Sequence, residues 1–293
     1  WSTSPVTETS ANSGSVTYEV KATVKNLSYT EGDVVQLYAV WKLGIDLYFN
    51  ANGGSGSISP LNVVSSANLP TGSALTRAGY TFAGWSKTAG GSATYSGGEQ
   101  VAASDFSGDT TLYAVWTSNT NTPYKVEHYL QNVTGNGYTL DSTENKTGTT
   151  DTLTAAAAKT YTGFNTPSVT QENIDGSGTT VVKILYTRKT ITLTFKPDGG
   201  AWGTSTANKT VQGRYGASVN SSAVSSPTRE GYVFNEWSPT IPSTFTENKT
   251  LTAQWTRITC TVKFNANGGT GSMAERTLNY GDALPANTFT RTG

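Results

Sequence analysis

Few side chains in this sequence could carry out chemistry. Its 293 residues include one histidine, His128, and one cysteine, Cys260. A Ser/His/Asp or Cys/His site needs its histidine beside a nucleophile and an orienting acid. Because His128 lies within an alternating strand pattern, we expect it to be structural or exposed. A single cysteine and a single histidine also exclude an internal disulfide and a Cys/His metal cluster.

Carboxylates and oxygen-rich turns are the remaining candidates for chemistry. Asp141 with Glu144, and Glu172 with Asp175, are acid pairs of the type used in glycoside hydrolysis. They occur in polar, turn-rich stretches, where solvated acids are the norm. Residues 50–57 form one of three turns that are rich in oxygen ligands for Ca²⁺, but these turns lack the acid cluster of a strong calcium loop. We therefore expect no catalytic residue, no cofactor and no metal, with calcium binding as the alternative.

Composition and charge exclude several classes of protein. The net charge is zero, from 20 basic and 20 acidic residues, so we expect no nucleic-acid partner. No apolar run approaches the roughly 20 residues that span a bilayer, so we expect no membrane insertion of this segment. Only 14% of the residues are charged and 35% are hydrophobic, against about 25% and 45–50% in ordinary globular chains. The abundant Ser, Thr and Gly favour strands and turns. Low thiol usage together with abundant Ser, Thr and Asn is typical of an exposed, secreted chain.

One sequence pattern occurs three times, so the chain contains internal repeats. Residues 45–54 read IDLYFNANGG, residues 191–200 read ITLTFKPDGG, and residues 260–269 read CTVKFNANGG. Each pattern is an alternating strand that runs into a Gly-Gly turn. The first, third and fifth positions of each strand are apolar, with one exception in which cysteine replaces isoleucine. One face of each strand is therefore expected to be buried.

Two aromatic motifs follow the opening strand in a fixed order. Residues 79–85 read GYTFAGW and residues 231–237 read GYVFNEW, and the closing strands read LYAVW at 112–116 and LTAQW at 251–255. Because these aromatic positions recur at equal spacing, we expect them to form the core of each repeat. The predicted core residues are Phe49, Tyr80, Phe82, Trp85, Trp116, Phe195, Tyr232, Phe234, Trp237, Trp255, Cys260 and Phe264.

Cys260 and Trp202 need separate interpretation. Cys260 occupies the position of Ile45 and Ile191 in the sister repeats, so we expect a small buried hydrophobic residue. Trp202 has no counterpart in the other repeats and lies in a Gly-rich turn. It is a candidate for an exposed contact with a ligand, with local packing under the loop as the alternative.

Residues 119–189 differ from the repeats. They contain the strand pattern YKVEHY at 124–129 and Tyr-Thr-Gly-Phe at 161–164 in place of Gly-Tyr-x-Phe, and they end in an apolar strand. The best helix candidate is Leu153–Lys159, which has four consecutive alanines and a threonine N-cap. The preceding linker, Thr117–Pro123, contains Asn, Ser and Pro and is predicted to be a flexible joint.

These motifs resemble two known families. FNANGG, RxGYxFxGW and LYAVW resemble the B repeat of internalin-type and related bacterial surface proteins, which is also called the Listeria-Bacteroides repeat. Residues 119–189 are similar to the repeats of mucin-binding proteins (MucBP repeats). Both resemblances imply a β-grasp-like module, with a short mixed or antiparallel sheet and at most one short helix. The expected fold is therefore mainly β, or α+β at most, as a tandem array of small modules that forms an elongated rod.

The resemblance implies a modular organisation and a function at the bacterial cell surface. The expected modules are residues 1–42 as the C-terminal part of a B-type repeat, 43–118 as a complete B-type repeat, 119–189 as a MucBP-like repeat, 190–256 as a complete B-type repeat, and 257–293 as the N-terminal part of another. We expect a non-catalytic extracellular array that acts as a stalk or spacer and in adhesion-type interactions. The alternative is a ligand-binding module, in which the MucBP-like repeat recognises host mucin glycan or protein.

The same reasoning predicts the partners. They are a host surface glycan or protein and the neighbouring repeats of the array. The two terminal half-modules are complementary, so residues 257–293 of one molecule could complete residues 1–41 of the next, head to tail. The alternative is that both ends are clipped from a longer array and are incompletely folded in isolation.

Overall fold

Strands supply nearly all the regular structure of residues 30–38 and 44–293, the residues that the computed structural model describes. They are numbered β1 to β15, and a single turn of 3₁₀ helix lies at Ala103–Asp105. The expectation of a mainly β chain built from several small sheets is confirmed. The predicted half-module at 1–42 falls mostly outside the described residues.

The first complete repeat forms a mixed four-stranded sheet with the order β2-β1-β6-β4. β1 pairs antiparallel with β2 and parallel with β6, and β4 pairs antiparallel with β6. β3 and β5 form a separate two-stranded antiparallel sheet. The strands are β1 (Ile45–Asn50), β2 (Leu61–Val63), β3 (Ser66–Asn68), β4 (Tyr80–Ser86), β5 (Gln100–Ala102) and β6 (Thr110–Ser118).

The second complete repeat has the same topology, with the order β11-β10-β13-β12. Its opening strand again pairs antiparallel with the second strand and parallel with the last. The apolar residues of this opening strand, Ile191, Leu193 and Phe195, are buried while their neighbours are not, because successive side chains of a strand point to opposite faces. The strands are β10 (Thr190–Lys196), β11 (Lys209–Arg214), β12 (Tyr232–Ser238) and β13 (Lys249–Arg257).

The module between the two repeats has a three-stranded sheet with the order β8-β7-β9. Its strands are β7 (Thr122–Gln131), β8 (Tyr138–Gly148) and β9 (Val181–Tyr186). The chain forms two compact units, and their border divides this module. One unit contains the described residues up to Lys125 together with 145–155 and 171–182, and the other contains 126–144, 156–170 and 183–293.

The helix predicted at Leu153–Lys159 is wrong, because these residues are not helical. The backbone N–H groups of this segment instead donate to distant parts of the chain. The Thr154 N–H donates to the Glu172 carbonyl (2.8 Å), and the Lys159 N–H donates to the Tyr186 hydroxyl (2.7 Å). A run of four alanines is too short to offset the cost of helix nucleation against these tertiary bonds.

The linker predicted to be a flexible joint, Thr117–Pro123, is largely strand. β6 continues to Ser118 and β7 begins at Thr122. Between them, the Asn119 N–H donates to the Gly79 carbonyl (2.8 Å) and the Asn119 carbonyl accepts from the Thr150 N–H (3.0 Å). The polar residues of the linker therefore fix the connection between the two modules.

The last segment forms a two-stranded antiparallel sheet of β14 (Thr259–Val262) and β15 (Arg276–Asn279). Cys260 is exposed, so its predicted burial is wrong. Ile191 occupies the equivalent position on β10, which has β11 on one side and β13 on the other. Among the described residues, the strand that carries Cys260, β14, pairs only with β15. The apolar face of an opening strand is thus buried by the strands that complete its sheet, and not by the opening motif alone.

Candidate functional site

The repeated aromatic residues form one cluster in each complete repeat. Trp85 is fully buried, and its ring centroid lies 4.9 Å from that of Phe49 and 5.0 Å from that of Phe82. The Trp85 Nε1–H donates to the Pro70 carbonyl (2.9 Å). In the second repeat, Trp237 is buried and contacts Phe195 and Phe234, with centroids 5.0 and 5.3 Å away.

The closing tryptophan of each repeat packs on the Gly-Gly turn of the opening motif. The Trp116 Nε1–H donates to the Ala51 carbonyl (2.9 Å), and a Cβ atom on Gly54 would lie 2.5 Å from the Trp116 ring. Trp255 makes the same bond to the Pro197 carbonyl (3.1 Å), and a Cβ atom on Gly200 would lie 2.4 Å from its ring. The second glycine of the turn is therefore required so that the closing tryptophan can approach.

The tyrosines predicted as core residues lie at the edge of the clusters. Tyr80 and Tyr232 are half-buried. The guanidinium carbon of Arg77 lies 3.8 Å from the ring centroid of Tyr80, and that of Arg229 lies 4.0 Å from the ring centroid of Tyr232. The arginine and the tyrosine of the Arg-x-Gly-Tyr motif thus pair with one another by a cation–π contact.

The recurrence of this geometry in two sheets agrees with a comparison of the sequence with known protein families. Residues 46–115 and residues 192–256 match the Listeria-Bacteroides repeat domain. Repeats of this family are typical of bacterial surface proteins. No curated protein matches the chain. The similarity of residues 119–189 to MucBP repeats stays a prediction.

Of the remaining predicted core residues in the Listeria-Bacteroides repeats, Phe195 is buried, and Phe49, Phe82, Trp116, Phe234 and Trp255 are half-buried and pack against the core clusters. Phe264, in the last segment, is half-buried.

Trp202 packs against the core of the second repeat. Its ring is stacked on Trp237, with centroids 6.3 Å apart and an interplanar angle of 22°. Its Nε1–H donates to the Ser225 carbonyl (2.8 Å), and the Nζ of Lys209 lies 4.6 Å from its ring centroid. This is the geometry of local packing under the loop, the alternative to a ligand contact.

His128 is the centre of a buried polar network in the middle module. It is fully buried, with Nδ1 2.9 Å from the Tyr186 hydroxyl and Nε2 3.1 Å from the Glu144 Oε1. The Nζ of Lys159 lies 2.9 Å from the same carboxylate oxygen. Both ring nitrogens therefore face structural partners. The sequence singled out Glu144 as half of an acid pair, but its partners in the fold are His128 and Lys159.

The other acids of the predicted pairs are used locally. The Tyr161 hydroxyl donates to Asp141 Oδ2 (2.7 Å). This bond, together with the Ser142 hydroxyl, holds the pKa of the Asp141 carboxyl below its usual value. The pKa of Asp175 is likewise lowered, by hydrogen bonds from the side chain and the backbone of Ser177. Asp141, on β8, and Asp175 thus both have local hydrogen-bond partners.

A groove of about 390 Å³ lies in the middle module. It is lined by residues 130–133, residues 139–141 and Arg188. The Arg188 guanidinium is committed to the fold, since Nε donates to the Gln131 carbonyl (2.7 Å) and NH1 to the Tyr215 carbonyl (3.0 Å). The groove therefore offers the Asp141 carboxylate beside the exposed side chain of Leu140. The residues that line the groove come from three separate segments of the chain, so no single sequence motif indicates it.

Among residues 30–38 and 44–293, no three His, Cys, Asp or Glu side chains are grouped so that they could hold a metal ion. In the turn at 50–57, the Asn50 side chain accepts from the Asn52 N–H (2.8 Å), and the Asn52 amide donates to the Ala114 carbonyl (2.9 Å). The same part of the chain has no helix with the length and apolar character needed to cross a membrane.

Proposed function

We propose that this chain is a non-catalytic, extracellular stalk or spacer region of a bacterial surface protein, and that it also takes part in adhesion-type interactions. The observation that carries the proposal is the shortness of the connections between modules. Residues 119–121 join β6 to β7, residues 187–189 join β9 to β10, and residue 258 joins β13 to β14.

Short connections favour a spacer for a physical reason. A long Gly- and Ser-rich linker behaves as a flexible coil, whereas modules joined by a few hydrogen-bonded residues have little freedom to rotate. In repeat proteins each module contacts only its neighbours, so the length of an array grows with the number of modules. The repeats of this chain also stabilise themselves by aromatic clusters and need no bound group at their centres.

Small-angle scattering of the whole chain tests the proposal. A stalk is expected to be on the order of 100 Å or longer, because a compact module of about 70 residues has a diameter of roughly 28 Å. A radius of gyration near the roughly 19 Å of a single compact domain of this length would contradict it. Antibody labelling of intact cells that produce the parent protein tests the extracellular location.

The groove of the middle module supports a second candidate function, the binding of a host mucin glycan or protein. A glycan needs hydrogen-bonding groups beside an apolar surface, and the groove offers Asp141 beside Leu140. We expect the whole chain to be retained on immobilised mucin and the double variant Leu140→Ser with Asp141→Asn to be released. Val64→Ser in the first repeat is the matched control, since Val64 is 48% exposed and Leu140 is 46% exposed. Equal retention of all three proteins would rule out this groove.

A further inference from the structure

Three consecutive modules each have a glycine with positive φ in or beside the aromatic motif, which we call the corner glycine. These corner glycines are Gly79 in the first repeat, Gly163 in the middle module and Gly231 in the second repeat. Their φ angles are 76°, 82° and 75°, in the left-handed region that glycine adopts without strain. The three modules belong to two sequence types, so this likeness extends beyond the Listeria-Bacteroides repeats.

The carbonyl of each corner glycine is bound by the connection to the next module. The donors are backbone N–H groups, and the connector residues that supply them stand between the last strand of one module and the first strand of the next. The bonds are Asn119 to Gly79 (2.8 Å), Lys189 to Gly163 (2.8 Å) and Ile258 to Gly231 (2.9 Å).

The carbonyl of each connector residue is bound in turn by the next module. The donors are backbone N–H groups of residues that follow its second strand, which we call cover residues. The bonds are Thr150 to Asn119 (3.0 Å), Tyr215 to Lys189 (2.9 Å) and Tyr280 to Ile258 (2.8 Å). Each cover residue is followed by a residue with positive φ, at Asp151 (63°), Gly216 (81°) and Gly281 (84°), so the turn after the cover residue is also shared.

The side chain of each cover residue lies on the corner glycine. A Cβ atom on Gly163 would lie 2.1 Å from the Tyr215 ring, and one on Gly231 would lie 2.1 Å from the Tyr280 ring. A Cβ atom on Gly79 would lie 2.6 Å from the Thr150 hydroxyl and 2.4 Å from the Gly176 backbone. No larger residue fits at any of the three corners unless the next module moves away.

We infer that the corner glycine, the connector residue and the cover residue form a common joint, through which each module docks on the module before it whatever its sequence type. Two hydrogen bonds fix the connector against both modules, and the cover side chain fills the space that the glycine leaves open. The surface that each module offers to its successor is therefore the corner glycine with its carbonyl. The side chain that fits this surface is Thr150 in the middle module, Tyr215 in the second repeat and Tyr280 in the last segment.

Polar contacts reinforce the joint between the second repeat and the last segment. The Tyr280 hydroxyl donates to the Glu230 carboxylate, next to the corner glycine, and Arg257 NH1 lies 3.5 Å from Asp282 Oδ1. These contacts are exposed, so the ring of Tyr280 and the backbone frame are expected to fix the orientation of the modules more strongly than the charges do. The inference holds whether or not the array serves as a stalk.

Distance measurements between two spin labels across this joint test the inference in the whole chain. Cys260 is an exposed native label site on β14, and Glu236→Cys adds a second site on an exposed position of β12. The labelled chain is expected to give one narrow distance distribution. Gly231→Ala is expected to broaden the distribution, because the added methyl displaces Tyr280. The matched control is Gly203→Ala, at a φ of 64° with no atom within 4 Å of the added Cβ, which is expected to leave the distribution narrow.

A second pair of variants keeps the test decisive if Gly231→Ala impairs folding. Tyr280→Ala removes the cover side chain and is expected to broaden the distribution, whereas Tyr280→Phe keeps the ring, loses only the hydroxyl bond to Glu230, and is expected to keep it narrow. The near-ultraviolet spectrum of the Trp237 cluster shows in each case that the second repeat remains folded. A distribution that stays narrow in Tyr280→Ala, or that broadens equally in Tyr280→Phe, would overturn the joint as described.

Discussion

The two complete repeats have one framework but cover their central tryptophans differently. Both four-stranded sheets have the same strand order, and both contain a bulge. It interrupts β4 between Phe82 and Gly84 in the first repeat, and β12 between Phe234 and Glu236 in the second. In the first repeat the loop residue Tyr95 pairs with Trp85 in an isolated β-bridge, with a 2.8 Å bond from the Trp85 N–H to the Tyr95 carbonyl.

The second repeat covers its tryptophan with a side chain. Trp202 is stacked on Trp237 there, and Glu236, next to the bulge, is exposed. The motifs that recur in the sequence therefore specify the sheet, while the loops, which do not recur, decide how the tryptophan is shielded from water. Four changes test whether the motifs specify the sheet and the loops shield the tryptophan.

Truncation of the central tryptophan is expected to have the largest effect. Trp85→Ala and Trp237→Ala should each lower the free energy of unfolding of their own repeat by about 3–5 kcal/mol, because a buried aromatic ring leaves a cavity. Urea denaturation followed by amide NMR signals assigns the loss to one repeat. Val64→Ala, at an exposed site, is the control and is expected to change stability by at most about 0.5 kcal/mol. A loss shared equally by both repeats would contradict their independence.

Substitution at the bulge is expected to separate the two repeats. Gly84 has a φ of 139°, and a Cβ atom there would lie 2.4 Å from the Tyr95 carbonyl oxygen. We expect Gly84→Ala to destabilise the first repeat by about 1–3 kcal/mol, through backbone strain and overpacking. Glu236→Ala, at the equivalent position of the second repeat, is expected to stay within about 0.5 kcal/mol of the parent chain. Thermal unfolding measures both, and equal effects would refute the difference in loop packing.

Several features of the fold could be predicted from the sequence because they depend on local pattern. The alternation Ile191, Leu193, Phe195 gave the buried face of β10, and the recurrence of Trp85 and Trp237 gave the centre of each core. These predictions need no knowledge of which segments meet in space.

The errors occur where tertiary partners decide the outcome. Cys260 has the same place in its motif as Ile191, but among the described residues its strand pairs with β15 alone, whereas the strand of Ile191 lies between β11 and β13. The alanines after Leu153 favour a helix, but the nearby backbone bonds to Glu172 and Tyr186. The Tyr186 hydroxyl is also a partner of His128, although the two residues are 58 positions apart. Neither composition nor periodicity identifies a contact over such a separation.

The indole N–H of Trp202, in the loop that covers Trp237, is expected to contribute less to the stability of the second repeat than the changes above. Trp202→Phe keeps an aromatic ring over Trp237 but removes the donor to the Ser225 carbonyl. We expect a loss of about 0.5–1.5 kcal/mol in the unfolding free energy of the second repeat, since the net contribution of one hydrogen bond is of this size. The first repeat should be unaffected, and mucin retention should not change if Trp202 is a packing residue. Weaker retention with unchanged stability would instead make Trp202 a ligand contact.

Acidification is expected to lower stability less than the three substitutions do. It should affect the middle module and the last segment before the sheets of the two repeats. The pKa of Asp141 in the middle module is lowered by hydrogen bonds from Tyr161 and Ser142, and that of Asp282 in the last segment by bonds from the backbone and side chain of Asn279. A carboxyl whose pKa is lower in the folded than in the unfolded chain adds stability above its unfolded pKa of about 4. This contribution disappears as the pH falls through the folded pKa.

Amide NMR signals of the middle module and of the last segment should therefore shift in acid before those of the repeat cores, where buried aromatic contacts do not titrate. Asp141→Asn should remove the part of the acid response in the middle module that Asp141 contributes, and should leave the part from Asp175 and the response of the last segment unchanged. Glu247→Gln, at a side chain that is 71% exposed in the second repeat, is the control and should leave every profile unchanged. If the Trp85 and Trp237 clusters instead lost their signals at the same pH as the middle module, the repeats would depend on their neighbours for stability. The common framework of the two sheets would then be insufficient to hold each repeat together.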